Sequence, residues 1–429
     1  MNERFLLKTD RAERLYRDYA KELPIIDYHN HLSVKDIAEN KKYDNLYELW
    51  LASDPYKHRL MRISGVSEHF ITGDATPFEK FEKYCEIFPS LAGNPVFDWS
   101  KMELSSVFGI DELPCRENAK YIYDKCGEML KSSEFGNNGI LSRFSIEYSS
   151  PVASLLDDLC LFDGVKTAPS LRGDNLLAPT LDFTRALESR SGVKISDDTS
   201  YITAVSALLD EFAAKGCRFA DHALDAGFLD SEEKGKKILT ALGVEYAKRG
   251  WTLLLHLEAS RKTSTRLGKI AGPAGGYAAS GSGVNVPALT SLLDEMETCG
   301  GLPDTVLFSL NMSDVPALSI LQGSFSEDGT PSKVQLGPAW WWCDHSLGIT
   351  TTLSCISSFG VLSRFIGMTT DSRSILSLVR HDYFRRIFCT HLDRLCFDGD
   401  FGLSDEQLGE TVRRVCYENA KMKIQGRNT

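Results

Sequence analysis

Two histidines one residue apart, His29 and His31, follow directly on the apolar run Pro24-Ile25-Ile26. On an extended strand residues i and i+2 point to the same side, so both imidazoles can reach one cation. Nine histidines are enough for a chance H-x-H pair, and two hydrogen-bonded structural histidines are the plain alternative. Position favours chemistry, because barrel enzymes carry their catalytic groups at the carboxyl ends of strands. His256 stands alone at the end of a second apolar run, TLLLHL, where a structural role is the commoner outcome. Asp371 follows a third run, in Thr370-Asp371-Ser372-Arg373. Its carboxylate can complete a metal site, and Arg373 can grip an anion bidentately. A helix N-cap is the competing reading of that stretch.

Positioning these groups requires strands that end at a common place. Eight strand-like runs are present, at 24–28, 144–148, 165–171, 217–221, 251–257, 305–310, 333–336 and 364–368. Helical patterns separate most of them, for example at 201–215 and 231–249. Near-continuous apolar strands alternating with helices are the pattern of a covered parallel sheet. Eight of them predict an α/β (β/α)8 TIM barrel, with a doubly wound sheet as the other possibility. We read residues 1–429 as a single barrel domain. Residues 34–142 form a helical insertion between strands 1 and 2, over the barrel mouth. Phe78, Phe81, Cys85 and Phe88 give that insertion one apolar helical face. Ser404-Asp-Glu-Gln407 is a capping-box pattern, and 272–283 reads as a mobile Gly/Ser-rich loop.

The composition sets outer limits. A net charge of -11 excludes nucleic acid and anionic membrane surfaces as partners, since both need a basic footprint. An anionic ligand must therefore be drawn in by local arginines. No apolar run approaches the roughly 20 residues of a membrane span, and the N-terminal stretch lacks the apolar core of a signal peptide. The 11 cysteines are scattered, without any C-x-x-C pair, as expected of a cytoplasmic protein.

Longer segments carry a resemblance. LPIIDYHNHLSVKDIAENKKYDNLYELWLASDPYKHRLMRISGV, VKTAPSLRGD, GCRFADHALD, TVLFSLN, KVQLGPAWWW and FIGMTTDSRSILSLVRHDYFRRIFC together resemble the uronate isomerase family of the amidohydrolase superfamily. The likeness runs with gaps over nearly the whole chain. It implies a divalent ion held by His29, His31 and Asp371, with His256 beside it. It implies Tyr56, from the insertion, as a proton-transfer group. Arg172 and Arg373 would contact the substrate, and Trp340 would wall the pocket. Members with two metals place a Lys at strand 4 and a His at strand 6. Here those strands end in Asp221-His222 and Ser309-Leu310-Asn311, which implies one ion. His222 then reads as a partner of the site rather than a ligand.

The implied reaction is aldose–ketose isomerisation of a hexuronic acid, D-glucuronate to D-fructuronate or D-galacturonate to D-tagaturonate, through an enediolate. Asp371, or an oxygen at the ion, assists ring opening, and Tyr56 or His256 moves the carbon-bound proton. Two His and one carboxylate suit zinc first, then manganese, iron or cobalt. A small sugar acid is the expected partner, and a homo-oligomer is compatible. Four departures from the family pattern fall on strand–helix loops. They are Asn30 for Cys, Ser149-Ser150-Pro151 for Thr-Thr-Asp, Glu258-Ala-Ser-Arg-Lys for a Gly/Asn-rich run, and Trp342-Cys-Asp-His345 for Phe-Asn-Asp. Two other readings stay open: a metal-dependent hydrolase of a sugar lactone or ester, and a non-catalytic sugar-acid binder.

Overall fold

The computed structural model describes residues 3–399 and 402–426. Nine strands occur among them: β1 Ile25–Asn30, β2 Ile146–Ser154, β3 Ser170–Arg172, β4 Phe219–Leu224, β5 Thr252–Leu257, β6 Ala259–Ser260, β7 Ala279–Ser280, β8 Asp304–Ser309 and β9 Val334–Leu336. Seven form one parallel sheet in the order β1-β2-β3-β4-β5-β8-β9, and β6 pairs antiparallel with β7. All six residues of β5 are buried, which explains its unbroken apolar run. Its register is regular on both sides, with Ala223↔His256 toward β4 and His256↔Phe308 toward β8.

Seven of the eight expected runs contain or overlap sheet strands, though 165–171 contributes only its end. The eighth does not form a regular strand: 365–370 has no repeating ladder. Side chains do much of the joining there. Asp27 Oδ1 accepts from the Thr370 amide at 2.7 Å, and Thr369 Oγ1 accepts from the His29 amide at 2.9 Å. Two backbone bonds follow, Asp371 N–H to His29 O at 3.1 Å and His31 N–H to Ser372 O at 2.9 Å. On its other side the Ile366 amide donates to Gln335 Oε1 of β9 at 2.9 Å. The segment thus lies between β9 and β1, tied by threonine, aspartate and glutamine side chains in place of a continuous ladder.

Between β1 and β2 the chain forms helices with their own apolar cluster, including Leu46, Trp50, Phe81, Tyr84, Cys85 and Phe88. The helix Pro77–Ile87 starts with a full capping box, Thr76 with Glu79, and turns Phe81 and Cys85 inward. Fully burying a side chain such as Phe81 contributes about 1.5–3 kcal/mol, so this cluster can hold its helices as a unit. The helix Pro55–Ile63 is capped by Asp54, which accepts from the amides of Tyr56 and Lys57. Lys57 is buried, and its Nζ lies 2.7 Å from Asp54 and 3.0 Å from Glu103. That ion triad pins the first turn of the helix that carries Tyr56. The capping box at Ser404–Gln407 forms as expected. No helix among the described residues is long and apolar enough to cross a membrane.

Candidate active site

His29 and His31, from the end of β1, meet Asp371 beside them. Asp371 Oδ1 lies 3.4 Å from His29 Nε2 and 3.1 Å from His31 Nε2. One donor atom from each of the three falls within 4.8 Å of the others. Asp371 takes a left-handed backbone conformation, φ 48°, as do Trp341, φ 47°, and Glu258, φ 61°. Non-glycine residues held there cost of order 1–3 kcal/mol each and cluster at functional sites.

Burial drives Asp371 toward the neutral form, but the hydrogen bonds from His29 and His31 outweigh it and hold the carboxylate well below its ordinary range. Burial likewise opposes a charge on His31, and there it wins, holding that ring neutral. At His29 burial is overcome by Asp221 and Asp371, which raise its proton affinity. A buried, ionised carboxylate facing two imidazoles is a donor set that fits a divalent cation. Charge on the cation would answer the charge on Asp371, which the histidines now offset only in part.

His256 stands next to this cluster, its ring 5.0 Å from that of His29. Its Nδ1 lies 2.6 Å from Asp221 Oδ1, and its buried Nε2 has no partner. Donation of Nδ1–H to the carboxylate leaves the lone pair on Nε2. Asp221 also lies 3.9 Å from His29 Nε2, so His29, Asp221 and His256 form a second grouping of possible ligand atoms. The short Nδ1 contact instead marks Asp221 as the anchor of His256. Sequence reasoning missed this residue, and its signal was available. Alternation along FADHAL puts Asp221 on the face of Ala223, the cross-strand neighbour of His256, and His222 on the opposite face. His222 accordingly points away to the Tyr246 hydroxyl, 2.9 Å from its Nε2, and burial lowers it to about 4.

A cavity of about 560 Å³ opens beside the cluster, lined among others by His31, Tyr56, Arg172, Arg261, Trp342 and Arg373. Arg172 is fixed by Asp174, at 2.9 Å from Nε, while its Nη1 reaches to 3.4 Å of the His31 ring. Arg373 is exposed and makes no hydrogen bond or ion pair with another described residue, which leaves its fork for a ligand. The Tyr56 hydroxyl is shielded and unpartnered, and burial holds it above its ordinary range. Trp340 lies on the side of the site that holds the ligand cluster. It packs on His256 with ring centroids 4.4 Å apart, lining the small recess over the ligand cluster. Trp341 and Trp342 wall the larger cavity instead.

The Gly/Ser-rich stretch is tied to the helix that carries Tyr56. It carries β7, and Arg59 of the Tyr56 helix donates to the carbonyls of Gly276 and Ala278, with Trp342 Nε1 also donating to Ala278 at 3.1 Å. Gly276, φ 82°, is required there, since a Cβ would fall 2.3 Å from Pro55 O. Two departures from the family pattern also answer each other. Asn30 Nδ2 donates to Ser149 Oγ at 3.0 Å and to Asp27 Oδ2 at 2.9 Å, a satisfied buried network.

A parallel α/β sheet that gathers buried histidines and carboxylates at its strand ends has the layout of an α/β enzyme, with a candidate metal-donor set among those groups. Comparison with known proteins agrees. The uronate isomerase of Oceanobacillus iheyensis is 35% identical over 98% of this chain and 97% of its own length. That of Caldicellulosiruptor saccharolyticus is 37% identical, with 98% of each chain covered. The crystal structure of the Thermotoga maritima uronate isomerase superposes with a TM-score of 0.88 at 26% identity, covering 98% of each chain. A family model, UxaC, glucuronate isomerase, matches residues 1–237 and 230–423, and the chain belongs to that family.

Proposed function

We propose that this chain interconverts aldose and ketose forms of hexuronic acids, D-glucuronate with D-fructuronate and D-galacturonate with D-tagaturonate. The observation that carries it is the meeting of three kinds of group in one place. These are the His29–His31–Asp371 donors, two proton carriers at the Tyr56 hydroxyl and His256 Nε2, and the cationic forks of Arg172 and Arg373. Family membership supports the same reading. The scaffold is a closed eight-place barrel, 366–371 filling the eighth place between β9 and β1, with 34–142 as a subdomain over its mouth.

His29, His31 and Asp371 would hold one divalent ion, zinc first, with manganese, iron or cobalt also suited. Bound there, it would act as a Lewis acid toward oxygen as negative charge develops. The chain's own residues supply the rest. Arg373 and Arg172 bind the sugar-acid carboxylate and set the sugar in the cavity. Asp371 assists ring opening. His256 Nε2, its lone pair fixed by Asp221, accepts the C2 proton; the C–H pair becomes the C1–C2 double bond while the C1 carbonyl pair moves onto O1. The Tyr56 hydroxyl, which keeps its proton at neutral pH, delivers a proton to C1. The O2 proton passes to O1 as C2 becomes the ketone, and the proton taken up by His256 returns through solvent to Tyr56, which restores both groups. Trp340 holds the His256 ring from behind. All 11 cysteines are free, which suits a reducing compartment, and we place the protein in the cytoplasm.

The test is incubation of the metal-loaded protein with glucuronate and with galacturonate in D2O, followed by NMR. Keto product with solvent deuterium at the exchanging carbon is expected. No product from either acid sinks the proposal.

A further inference from the structure

Arg380, on the helix Val379–Gly399, belongs to none of the groups above, yet it touches three elements that frame the site. Its side chain is 1% exposed. Nη1 donates to Asp344 Oδ2 at 2.8 Å, on the loop that carries Trp340, Trp341 and Trp342. Nη2 donates to the carbonyl of Thr370, the residue before Asp371. The guanidinium carbon stands 5.4 Å over the Tyr56 ring and 5.0 Å over that of Trp99. Tyr56 is further held edge-on by Trp99 at 5.7 Å and by Trp342 at 5.2 Å. The Tyr56 hydroxyl has no well-aligned hydrogen-bond partner, and the Arg380 cation beside it opposes the burial that keeps its proton on.

We infer that Arg380, oriented by Asp344, is a positioning residue for proton transfer, fixing the Tyr56 ring relative to Asp371. The inference rests on the reading of Tyr56 as the proton donor. A planar fork is required to serve two acceptors while presenting its face to an aromatic ring. Lysine can supply the charge but not the three contacts together. Both Asp344 and Arg380 are buried, and the ion pair with Asp344 offsets the burial that opposes the cation. A stabilising ion pair alone would account for the contact with Asp344. It gives no reason for the fork to bridge the Asp371 strand end and the ring of Tyr56.

The experiment is a double-mutant cycle on the metal-loaded enzyme, with Arg380→Lys, Tyr56→Phe and the pair. Far-UV CD and thermal midpoints serve as folding controls. Phenylalanine keeps the ring, so the cycle isolates the hydroxyl. A displacement near 1 Å costs roughly 10²-fold in rate. Arg380→Lys is therefore expected to lower kcat by about that factor, with KM within about twofold because Arg172 and Arg373 are untouched. Combined with Tyr56→Phe it should add nothing further. If Arg380→Lys does not fold, Asp344→Asn takes its place in the cycle with the same expectation. Effects that multiply, or a loss confined to KM, overturn the inference and leave the role of Tyr56 standing. Wild-type turnover in Tyr56→Phe alone overturns the reading of Tyr56 and the inference with it.

Discussion

Replacing Asp221 by Asn changes one charge and almost no volume, at a residue whose carboxylate meets His256 Nδ1 at 2.6 Å in a fully buried setting. Two effects set the magnitude. A hydrogen bond to a charged acceptor contributes about 1.5–3 kcal/mol and one to a neutral acceptor about 0.5–1.5. That difference of about 1–1.5 kcal/mol corresponds to roughly 5–13-fold in rate. The larger effect is on the tautomer. An amide can turn its NH2 toward Nδ1, and the ring then carries its proton on Nε2 and cannot accept one there. Loss of a positioned base costs about 10²–10⁴-fold. Asp221→Asn should therefore lower kcat at least 10²-fold while KM moves little, because Arg172 and Arg373 keep their places. Steady-state kinetics, 15N NMR of His256 and metal content measure the three quantities separately. Metal content matters because Asp221 also lies 3.9 Å from His29 Nε2. A kcat loss under threefold, or one that follows loss of metal at an unchanged tautomer, refutes the role assigned to Asp221.

Arg373→Ala should raise KM about 10–100-fold, the scale of a lost charge-assisted contact. It should leave the thermal midpoint unchanged, since Arg373 bonds to no other described residue; a fall in midpoint with KM intact would reverse that assignment. Stability should also depend on pH through His222 and His391, both buried and held neutral down to about 4. In the unfolded chain each takes a proton below about 6.5. The unfolded state thus holds more protons between pH 4 and 6.5, so stability rises with pH across that window and is lost as pH falls, by about 3 kcal/mol for each group at its full extent. Urea midpoints at pH 4.5 and 6.5 measure the loss. His391→Leu should remove about half of it, and midpoints equal at the two pH values would contradict both assignments.

Much of the site was legible because strand ends concentrate chemistry. His29, His31, Asp371, Arg172, Arg373 and His256 each follow or end an apolar run, and each lies where the parallel sheet delivers its strand ends. Seven of the eight runs were legible because both faces of the sheet are covered. The eighth was misjudged as a regular strand because apolarity is its only local signal. Left-handed Gly367, φ 87°, and Asp371, φ 48°, interrupt the extended backbone, and Asp27 replaces ladder bonds with a carboxylate. Trp340 walls the recess over the ligand cluster. Its neighbour Trp341 has a left-handed backbone, which turns the three tryptophans in different directions and reserves the space behind His256 for the first.

Arg380 marks the limit of local reading. A helix sequence such as VRHDYFRR shows three arginines with nothing to rank them. What separates them is tertiary. Arg385 reaches the carbonyls of Leu23 and Pro24, below β1, and Arg386 pairs with Asp382 and Tyr16. Only Arg380, one turn nearer the strand ends, meets Tyr56, Asp344 and Thr370 together. The same geometry links the departures from the family pattern to the reaction. Asn30 with Ser149 rebuilds a buried network around Asp27, which fixes the Asp371 segment. The tryptophan loop keeps Asp344, the Asp of the family pattern, which fixes Arg380. Both loops thus carry groups that hold Asp371 and Tyr56 in place, through contacts far apart in the sequence.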